Sequence, residues 1–300
     1  MEKRAQERAA GPQKSAPRAT PARKRQRPSG PEPRPFLKWA GGKGQLLDQL
    51  RPLLPAIPVR RYFEPFVGSA ALFFALRPAE ATLSDVNVEL IDCYLAVQKH
   101  VERVARALAS HAYEEARYYE VRAQDPSELD LPSRAARTIY LNKTGYNGLY
   151  RVNRAGRFNV PFGRYINPGF CSPESVENLR ACSQALRGAK LAVRDFAQVV
   201  RHARKGDFVY FDPPYVPLSE TSAFTSYAAG GFDADAQVRL ADVVARLTDA
   251  GVLVMLSNSD APAVRQLYAR YRIDTVTASR SINSRANGRG KIREVVVRNY

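Results

Sequence analysis

Residues that bind transition metals are scarce in this chain. Its 300 residues include three cysteines and three histidines, and Cys93, Cys171 and Cys182 do not have the spacing of metal ligands. We therefore expect no zinc or other metal site. Three cysteines cannot all pair within one chain, which favours a reducing cytoplasm as the location of the protein.

Long apolar runs are also missing. No segment approaches the ~20 apolar residues that a helix needs to cross a bilayer. The N-terminus has no apolar core of the kind found in signal peptides. We therefore expect neither a membrane protein nor a secreted one.

Acidic residues are in deficit: 29 Asp and Glu face 46 Lys and Arg, for a net charge of +17. Residues 1–34 hold ten of the basic residues and three of the acidic ones, so the rest of the chain still carries +10. This imbalance predicts a polyanionic partner. Nucleic acid is the first choice and an acidic membrane surface the second.

The first 33 residues are rich in Pro, Ala, Arg and Gln and have almost no large apolar side chains. Such a segment buries too little surface to offset its ordering entropy, so we predict a disordered tail. Two interpretations stay open: a basic arm that raises non-specific affinity for DNA, or a solubility tail or wrongly chosen start codon.

From residue 34 onward the pattern alternates strands and helices, which is typical of a doubly wound α/β sheet. Strands are predicted at 61–66, 81–86, 190–196, 207–212, 251–257, 271–277 and 293–299, with helices at 70–76, 234–249 and 261–271. Between 88 and 189 the strand signal gives way to amphipathic helices, predicted at 88–110, 113–122 and 133–143. An insertion of this length is too long for a loop and predicts a subdomain.

The string Asp212-Pro213-Pro214-Tyr215 directly follows an apolar predicted strand. The prolines fix the backbone and remove N–H donors, so the Asp212 carboxylate and the Pro213 carbonyl offer two acceptors side by side. Tyr215 adds a ring face on which an unstacked base can lie. The set suits the amino group of a nucleobase, although a plain strand-to-loop turn accounts for these four residues equally well.

Two further strand ends suit a nucleotide-like cofactor. The first strand leads into a turn with Phe66 and Gly68, and Asp85 ends the second strand about twenty residues later. In dinucleotide folds such an acidic residue accepts hydrogen bonds from ribose hydroxyls. Asp85 is alternatively the N-cap of the next helix. Asp195 and Phe196, at the end of the third strand, offer a polar edge and a stacking ring.

Residues 140–165 are dense in Arg, Asn and Tyr, and two short extended runs flank Asn153–Gly156. This pattern predicts a β-hairpin with the chemistry of groove readout, because Arg pairs with guanine, Asn pairs with adenine, and apolar groups meet the thymine methyl. The alternative is that the aromatic residues only pack the hairpin on the helices.

Together these motifs resemble the DNA adenine methylase (Dam) family, the D12-class adenine-N6-specific DNA methyltransferases. The likeness runs in order from Arg34 to Tyr300 and includes the uncommon string Lys-Trp-Ala-Gly-Gly-Lys at 38–43. It implies a Rossmann-like S-adenosylmethionine-dependent methyltransferase sheet with a final antiparallel strand. The catalytic domain would comprise 34–87 and 190–300, and 88–189 would be a helical and β-hairpin DNA-recognition subdomain.

The resemblance also implies a cofactor site for S-adenosylmethionine, in which Lys43 pairs with the cofactor carboxylate. The family often has glycine where this chain has Ala70, and alanine there is compatible with a negative φ. The implied cofactor contacts are Trp39, Lys43, Phe66, Gly68, Asp85, Asp195, Phe196 and Asp212.

On the DNA side, the resemblance implies recognition of GATC. Arg151 would read the guanine, Leu149 and Pro161 would contact the thymine, and Tyr146 would fill the space left by a flipped adenine. The implied DNA contacts are Lys38, Tyr146, Asn147, Leu149, Arg151, Asn153, Pro161 and Arg164. We also expect a mobile loop at 216–232 and a phosphate-contacting loop at 281–291.

The predicted reaction is methyl transfer to the 6-amino group of adenine in double-stranded DNA, with Asp212, Pro213 and Tyr215 as catalytic residues. A cytosine-5 methylase is excluded because none of the cysteines follows proline. The alternatives are a cytosine-N4 or RNA adenine methyltransferase and a catalytically silent DNA-binding relic. We expect a cytoplasmic, nucleoid-associated protein that acts alone or with a cognate restriction endonuclease.

Overall fold

The structure is a computed structural model that describes residues 31–217, 232–279 and 291–300. Within these residues seven strands form one sheet, in the order β3-β2-β1-β4-β5-β7-β6. The strands are β1 (Tyr62–Glu64), β2 (Ala81–Asp85), β3 (Ala189–Val193), β4 (Phe208–Phe211), β5 (Leu253–Ser259), β6 (Arg272–Ser279) and β7 (Lys291–Arg298). All seven overlap the predicted strands.

The first five strands are parallel, and β7 runs antiparallel to both β5 and β6. This is the predicted Rossmann-like methyltransferase sheet with its antiparallel strand. All four residues of β4 are buried, because a central parallel strand is covered by helices on both faces. The chain order reverses on either side of β1, so the carboxyl ends of β1, β2 and β4 border one crevice.

Nine α-helices surround this sheet in the described part of the chain. They are α1 (Leu47–Leu50), α2 (Ala71–Leu76), α3 (Val88–Ala109), α4 (Glu115–Ala123), α5 (Leu131–Thr144), α6 (Pro173–Leu186), α7 (Phe196–Val199), α8 (Ala234–Asp249) and α9 (Pro262–Leu267). Helix α6 was absent from the prediction. Its signals were present: Ser172 caps it by accepting from the Ser175 N–H, and Pro173 occupies its first turn.

Two predicted element ends were wrong. The strand predicted over 190–196 ends at Val193, because Asp195 accepts a hydrogen bond from the Ala197 N–H and starts α7. The helix predicted over 261–271 ends at Leu267. Tyr268 there leaves the helical conformation (φ −112°, ψ 19°) and is fully buried, so the chain turns towards β6.

Apolar side chains form two clusters. One contains Leu83 of the sheet together with Tyr94, Leu141 and Leu179 of the inserted helices. The other packs α8 and α9 on the sheet. The inserted helices therefore share a continuous core with the sheet, and from Pro31 onward the chain forms one compact unit. The division of labour between a catalytic domain and a recognition subdomain stays a prediction.

The predicted tail and loops lie largely outside the described residues. Residues 31–33 are the described end of the predicted disordered tail: Pro33 is buried, and Glu32 forms a 3.2 Å ion pair with Arg77. The folded unit therefore includes these three residues. Of the predicted loops at 216–232 and 281–291, only the ends are described.

Candidate active site

The Asp-Pro-Pro-Tyr segment leaves the carboxyl end of β4 inside the crevice, and Lys43 meets it there. The Lys43 ammonium lies 2.8 Å from the Asp212 carboxylate and also donates to the Gly41 carbonyl at 2.6 Å. Lys43 is 4% exposed and Asp212 is 18% exposed, so the pair is largely shielded from water. The ammonium also lies 4.8 Å from the centre of the Tyr215 ring.

This pairing sets the charge state of Asp212. Burial raises the pKa of the Asp212 carboxyl, while the charge of Lys43 and its hydrogen bond act to lower it. Lys43 thus favours the ionised carboxylate, which is a pure hydrogen-bond acceptor. The prediction that Lys43 binds the carboxylate of the cofactor stays a prediction, and the partner observed in the structure is Asp212.

Side chains from three neighbouring elements hold the backbone of the Asp-Pro-Pro-Tyr segment. Gln237 of α8 donates to the Pro214 carbonyl at 2.9 Å, and Asn258 of β5 accepts from the Val216 N–H at 3.1 Å. The Tyr215 hydroxyl donates to Glu294 of β7 at 2.8 Å. Among the described residues, no hydrogen bond uses the Pro213 carbonyl. Its role as an acceptor beside Asp212 stays a prediction.

A second buried carboxylate, Glu64, ends β1 next to this pair. It is 3% exposed and accepts a 2.8 Å hydrogen bond from the Tyr62 hydroxyl. Burial raises the pKa of Glu64 to about 8, against the lowering effect of that hydrogen bond. Sequence reasoning gave Glu64 no role. The signal was a charged residue inside a predicted core strand, directly before Pro65.

The turn after β1 passes close to Trp39 and Asp85. Gly68 has φ +44°, and a Cβ added there would lie 3.1 Å from the Trp39 indole. The Gly68 N–H points to the Asp85 carboxylate at 3.4 Å. Burial raises the pKa of Asp85, against the lowering effect of the Asn87 and Gly68 N–H groups. This turn thus has the narrow glycine cradle and the acidic side chain that the sequence predicted for a cofactor.

Alanine would fit this turn without strain only at a negative φ, and that condition is not met. Ala70 has φ +54° and ψ +30°, in the left-handed region. A left-handed alanine costs roughly 1–2 kcal/mol. The tight bend from the turn into α2 forces this conformation, and the Ala70 N–H closes it by donating to the Val67 carbonyl at 2.6 Å.

Asp85 is not the N-cap of the following helix. Asn87 caps α3 by accepting from the Leu90 N–H at 3.1 Å. Asp85 instead accepts from the Asn87 N–H at 3.0 Å. Its carboxylate therefore lies beside the Gly68 turn, and its role towards the cofactor stays a prediction.

Asp195, the predicted cofactor contact that follows β3, is already paired within the protein. Asp195 forms two hydrogen bonds with the Arg239 guanidinium, at 2.8 and 3.1 Å. That guanidinium also lies 4.4 Å from the centre of the Phe196 ring, which stacks on Phe66 with ring centres 5.4 Å apart. Phe196 is 3% exposed, whereas Phe66 is half-buried, so Phe66 has the more accessible ring.

The predicted recognition hairpin is present as antiparallel pairing without long strands. Bridges join Val152 to Phe158 and Gly145 to Phe162, and the Asn153 N–H donates to the Arg157 carbonyl. The Asn153 side chain accepts from two N–H groups of the turn, at 3.0 Å each. Asn153 therefore builds the turn, and its contact with DNA stays a prediction.

Most other predicted DNA contacts are on the surface. Tyr146 is 53% exposed, and Asn147 has a left-handed φ of +55° that turns its side chain outward. Leu149 is half-buried against the core. The exposed members of the set are Lys38, Tyr146, Asn147, Arg151, Asn153, Pro161 and Arg164.

Neither a metal cluster nor a membrane helix is found in the described part of the chain. No group of three or more His, Cys, Asp or Glu side chains within 31–217, 232–279 and 291–300 is arranged to hold a metal ion. No helix among these residues is long and apolar enough to span a bilayer.

Known proteins resemble this chain over most of its length. The profile of the D12 class N6 adenine-specific DNA methyltransferases matches residues 39–282. The type II methyltransferase M1.LlaDCHI of Lactococcus lactis subsp. cremoris is 44% identical over 89% of this chain and 95% of its own length. The type II methyltransferase M.MjaIII of Methanocaldococcus jannaschii is 41% identical over 90% of this chain and 100% of its own length.

A relative with a different description is similar over the same region. The DNA adenine methylase of Escherichia coli K12 is 36% identical, over 88% of this chain and 94% of its own length. The match to the family profile and the identity to these relatives agree with the geometry at the ends of β1 and β4. The chain belongs to the D12 class N6 adenine-specific DNA methyltransferases and is an adenine-specific DNA methyltransferase.

Proposed function

We propose that this enzyme uses S-adenosylmethionine to methylate the 6-amino group of an adenine that it flips out of double-stranded DNA, at GATC sites. The observation that carries the proposal is the pair of acceptors at the end of β4, the Asp212 carboxylate and the Pro213 carbonyl. They lie beside two further strand ends: β1, which leads into the Gly68 turn, and β2, which ends at Asp85.

The 6-amino nitrogen of adenine is a poor nucleophile because its lone pair is delocalised into the ring. Hydrogen bonds from this amino group to Asp212 and to the Pro213 carbonyl localise the lone pair on nitrogen. The Lys43 ammonium favours the ionised form of Asp212, and the Tyr215 ring supports the base. Holding the amine in a fixed orientation supplies a large part of the acceleration.

The residues of the crevice fit S-adenosylmethionine. When bound, this cofactor supplies a methyl group on a positively charged sulfur. Asp85 has the position of a ribose ligand, and the Gly68 turn lets a ligand approach the backbone because a side chain there would strike Trp39. Phe66 offers the half-exposed ring of the site. The roles of these residues towards the cofactor are part of the proposal.

Flipping a base costs a few kcal/mol. The exposed Tyr146 ring is suited to fill the vacated space, and Arg151 is suited to a bidentate contact with guanine. The match to the DNA adenine methylase of E. coli K12 over 88% of this chain supports GATC as the site. A cognate restriction endonuclease stays a predicted partner.

Methylation-aware sequencing of DNA from cells that express the protein tests base and site together. We expect N6-methyladenine at GATC with the wild type and none with Asp212→Ala. Purified Asp212→Ala should still bind a GATC duplex, because Asp212 acts on the reacting amine rather than on the duplex. Unmodified adenines in every sequence would refute the reaction, and methylation at another sequence would refute GATC alone.

A silent DNA-binding relic predicts a different result. Such a protein would bind the duplex and transfer no methyl group from a tritium-labelled donor, with or without Asp212.

A further inference from the structure

One buried amide joins the two halves of the proposed site. The Asn142 side chain, on α5, has no exposed surface. Its oxygen accepts from the Lys38 N–H at 2.8 Å, and its nitrogen donates to the Lys38 carbonyl at 2.7 Å and to the Gly148 carbonyl at 3.0 Å. All the polar atoms of this side chain are therefore used on the backbones of two segments distant in sequence.

The first of these segments leads to the crevice. Lys38 is followed by Trp39, whose indole lies against the Gly68 turn, and then by Lys43, which pairs with Asp212. Lys38 is therefore separated by only five positions in the chain from the residue that pairs with Asp212, so a displacement of Lys38 affects the position of Lys43.

The second segment belongs to the proposed DNA-reading surface. Gly148 lies between Asn147 and Leu149, with φ +62°. The backbone comes so close to Lys38 that a Cβ at Gly148 would lie 2.3 Å from the Lys38 side chain. Two residues further on, the Tyr150 ring stacks on Trp39 with ring centres 5.0 Å apart.

The Asn142 amide thus bonds the two segments to one another, beside the Gly148–Lys38 and Tyr150–Trp39 contacts. Without the Asn142 amide, the Gly148 carbonyl would lose a hydrogen bond in a buried position, and the Lys38 N–H and carbonyl would each lose one in a part-buried position, which is costly. The arrangement with all three bonds made is therefore strongly preferred, and it fixes the position of the reading segment relative to the cofactor turn.

We propose that Asn142 is a positioning residue that couples cofactor binding to target recognition. The inference rests on the proposed function, because it takes the turn after β1 as the cofactor site and 146–149 as a DNA-reading segment. Ordering of the 38–43 segment by cofactor orders 146–149 through Asn142, and cognate DNA acts in the reverse direction. Such coupling is reciprocal between the two ligands.

The test compares the affinity for a short GATC duplex with and without S-adenosylhomocysteine, a non-reactive product form of the cofactor. The coupling factor is the affinity for the duplex with S-adenosylhomocysteine divided by the affinity without it. We expect it to exceed one in the wild type, and to fall about fivefold or more, towards one, in Asn142→Ala. Gln98→Ala is the matched control, since the side-chain amide of Gln98, on α3, also donates to two backbone carbonyls, those of Leu186 and Ala189, outside segments 38–43 and 146–149.

A merely structural role would lower the midpoint of thermal unfolding in both variants and leave the coupling factor unchanged in both. Equal factors in Asn142→Ala, Gln98→Ala and the wild type would overturn the inference, as would a wild-type factor of one. If Asn142→Ala does not fold, Gly148→Ala perturbs the same joint from the other side. A coupling factor in Gly148→Ala equal to that of the wild type would then overturn the inference.

The outcome is distinguishable from failure of the proposed function. Adenine methylation at GATC by the wild type, together with an unchanged coupling factor in the variants, removes the inference alone. Absence of any adenine methylation removes the proposed function.

Discussion

Glu64 and Asp212 are two buried carboxylates with different partners. Asp212 has the Lys43 ammonium at 2.8 Å, whereas Glu64 has the neutral hydroxyl of Tyr62. A charged partner offsets much more of the cost of burying a carboxylate than a neutral one does. Burial raises the pKa of both carboxyls; the Lys43 charge opposes this rise at Asp212, whereas the pKa of Glu64 is raised to about 8.

The raised pKa of Glu64 predicts a pH-dependent stability difference for Glu64→Gln. Burial raises this pKa from 4.5 to about 8, so the unfolded chain loses the proton first as the pH rises. Between about pH 4.5 and pH 8 the wild type should therefore lose more stability than the variant, by on the order of a few kcal/mol. Thermal unfolding of both proteins between pH 5 and 8.5 measures this, and parallel profiles would contradict it.

Arg151 is the residue on which discrimination of guanine is predicted to depend. It is exposed, and its guanidinium is held by the Asn159 side-chain oxygen at 2.8 Å. Arg151→Ala should relax the preference at that base pair by ~1–3 kcal/mol, because a bidentate contact is lost. Methylation rates on duplexes with single substitutions in the site measure the change.

Arg154→Ala is the matched control, since Arg154 is an exposed arginine of the same hairpin. It should weaken binding equally on all duplexes. An unchanged preference in Arg151→Ala would remove the proposed role of the hairpin in reading guanine.

At the scale of elements, the reactive segment after β4 depends on α8 and β5 for its shape. Gln237 of α8 donates to Pro214 and accepts from Asn258 of β5 at 3.2 Å, and Asn258 in turn accepts from the Val216 N–H. Both amides are buried. They fix the backbone on both sides of Tyr215, and so determine where the Pro213 carbonyl points.

Gln237→Ala should therefore slow methyl transfer with little effect on the binding of DNA. A displacement of about 1 Å in a reacting group costs up to about 10²-fold in rate, so we expect a reduction of ~10- to 100-fold in kcat. Single-turnover transfer rates and duplex affinity separate the two effects.

Gln49→Ala is the control for this variant. Gln49 also exchanges two hydrogen bonds with a backbone, that of Thr277, but on an exposed surface. Equal rates in Gln237→Ala and Gln49→Ala would contradict a role for the brace in transfer.

At the scale of the whole molecule, the basic charge includes the N-terminal segment, whereas the apolar core is shared by the sheet and the inserted helices. The net charge of +17 is divided between residues 1–30, which contribute +7, and the rest, which contributes +10. The apolar core, by contrast, is continuous between the sheet and the inserted helices. The basic charge is therefore spread over the chain, while the segment proposed to read DNA packs against the same core as the sheet.

Deletion of residues 1–30 tests what this basic segment contributes. If it acts as a DNA-binding arm, the shortened protein should bind every duplex more weakly and show a shallower dependence of affinity on salt, because fewer counterions are released. The preference among target sequences should be unchanged. Titrations of matched duplexes at several salt concentrations measure this, and an unchanged salt dependence would favour the solubility tail.

The sequence by itself determined the class of fold and indicated the edge of the sheet at which we propose that the chemistry takes place. Strand periodicity and the all-apolar run before Asp212 placed a buried strand there, and polar residues at strand ends predicted a shared crevice. These signals are local, since they depend on neighbouring residues in the chain. The same holds for the turn at Asn153, whose side chain bonds within four residues.

Only the tertiary structure decided which distant groups meet. The pairing of Lys43 with Asp212 spans 169 positions, and burial of Glu64, the salt bridge between Asp195 and Arg239, and the joint at Asn142 depend equally on packing. The left-handed Ala70 follows from the bend that packing imposes. The pKa of a buried group depends on desolvation and on charged partners, and the hydrogen bonds of Asn142 depend on backbone groups of another segment. These partners are far apart in the chain, and only folding brings them together.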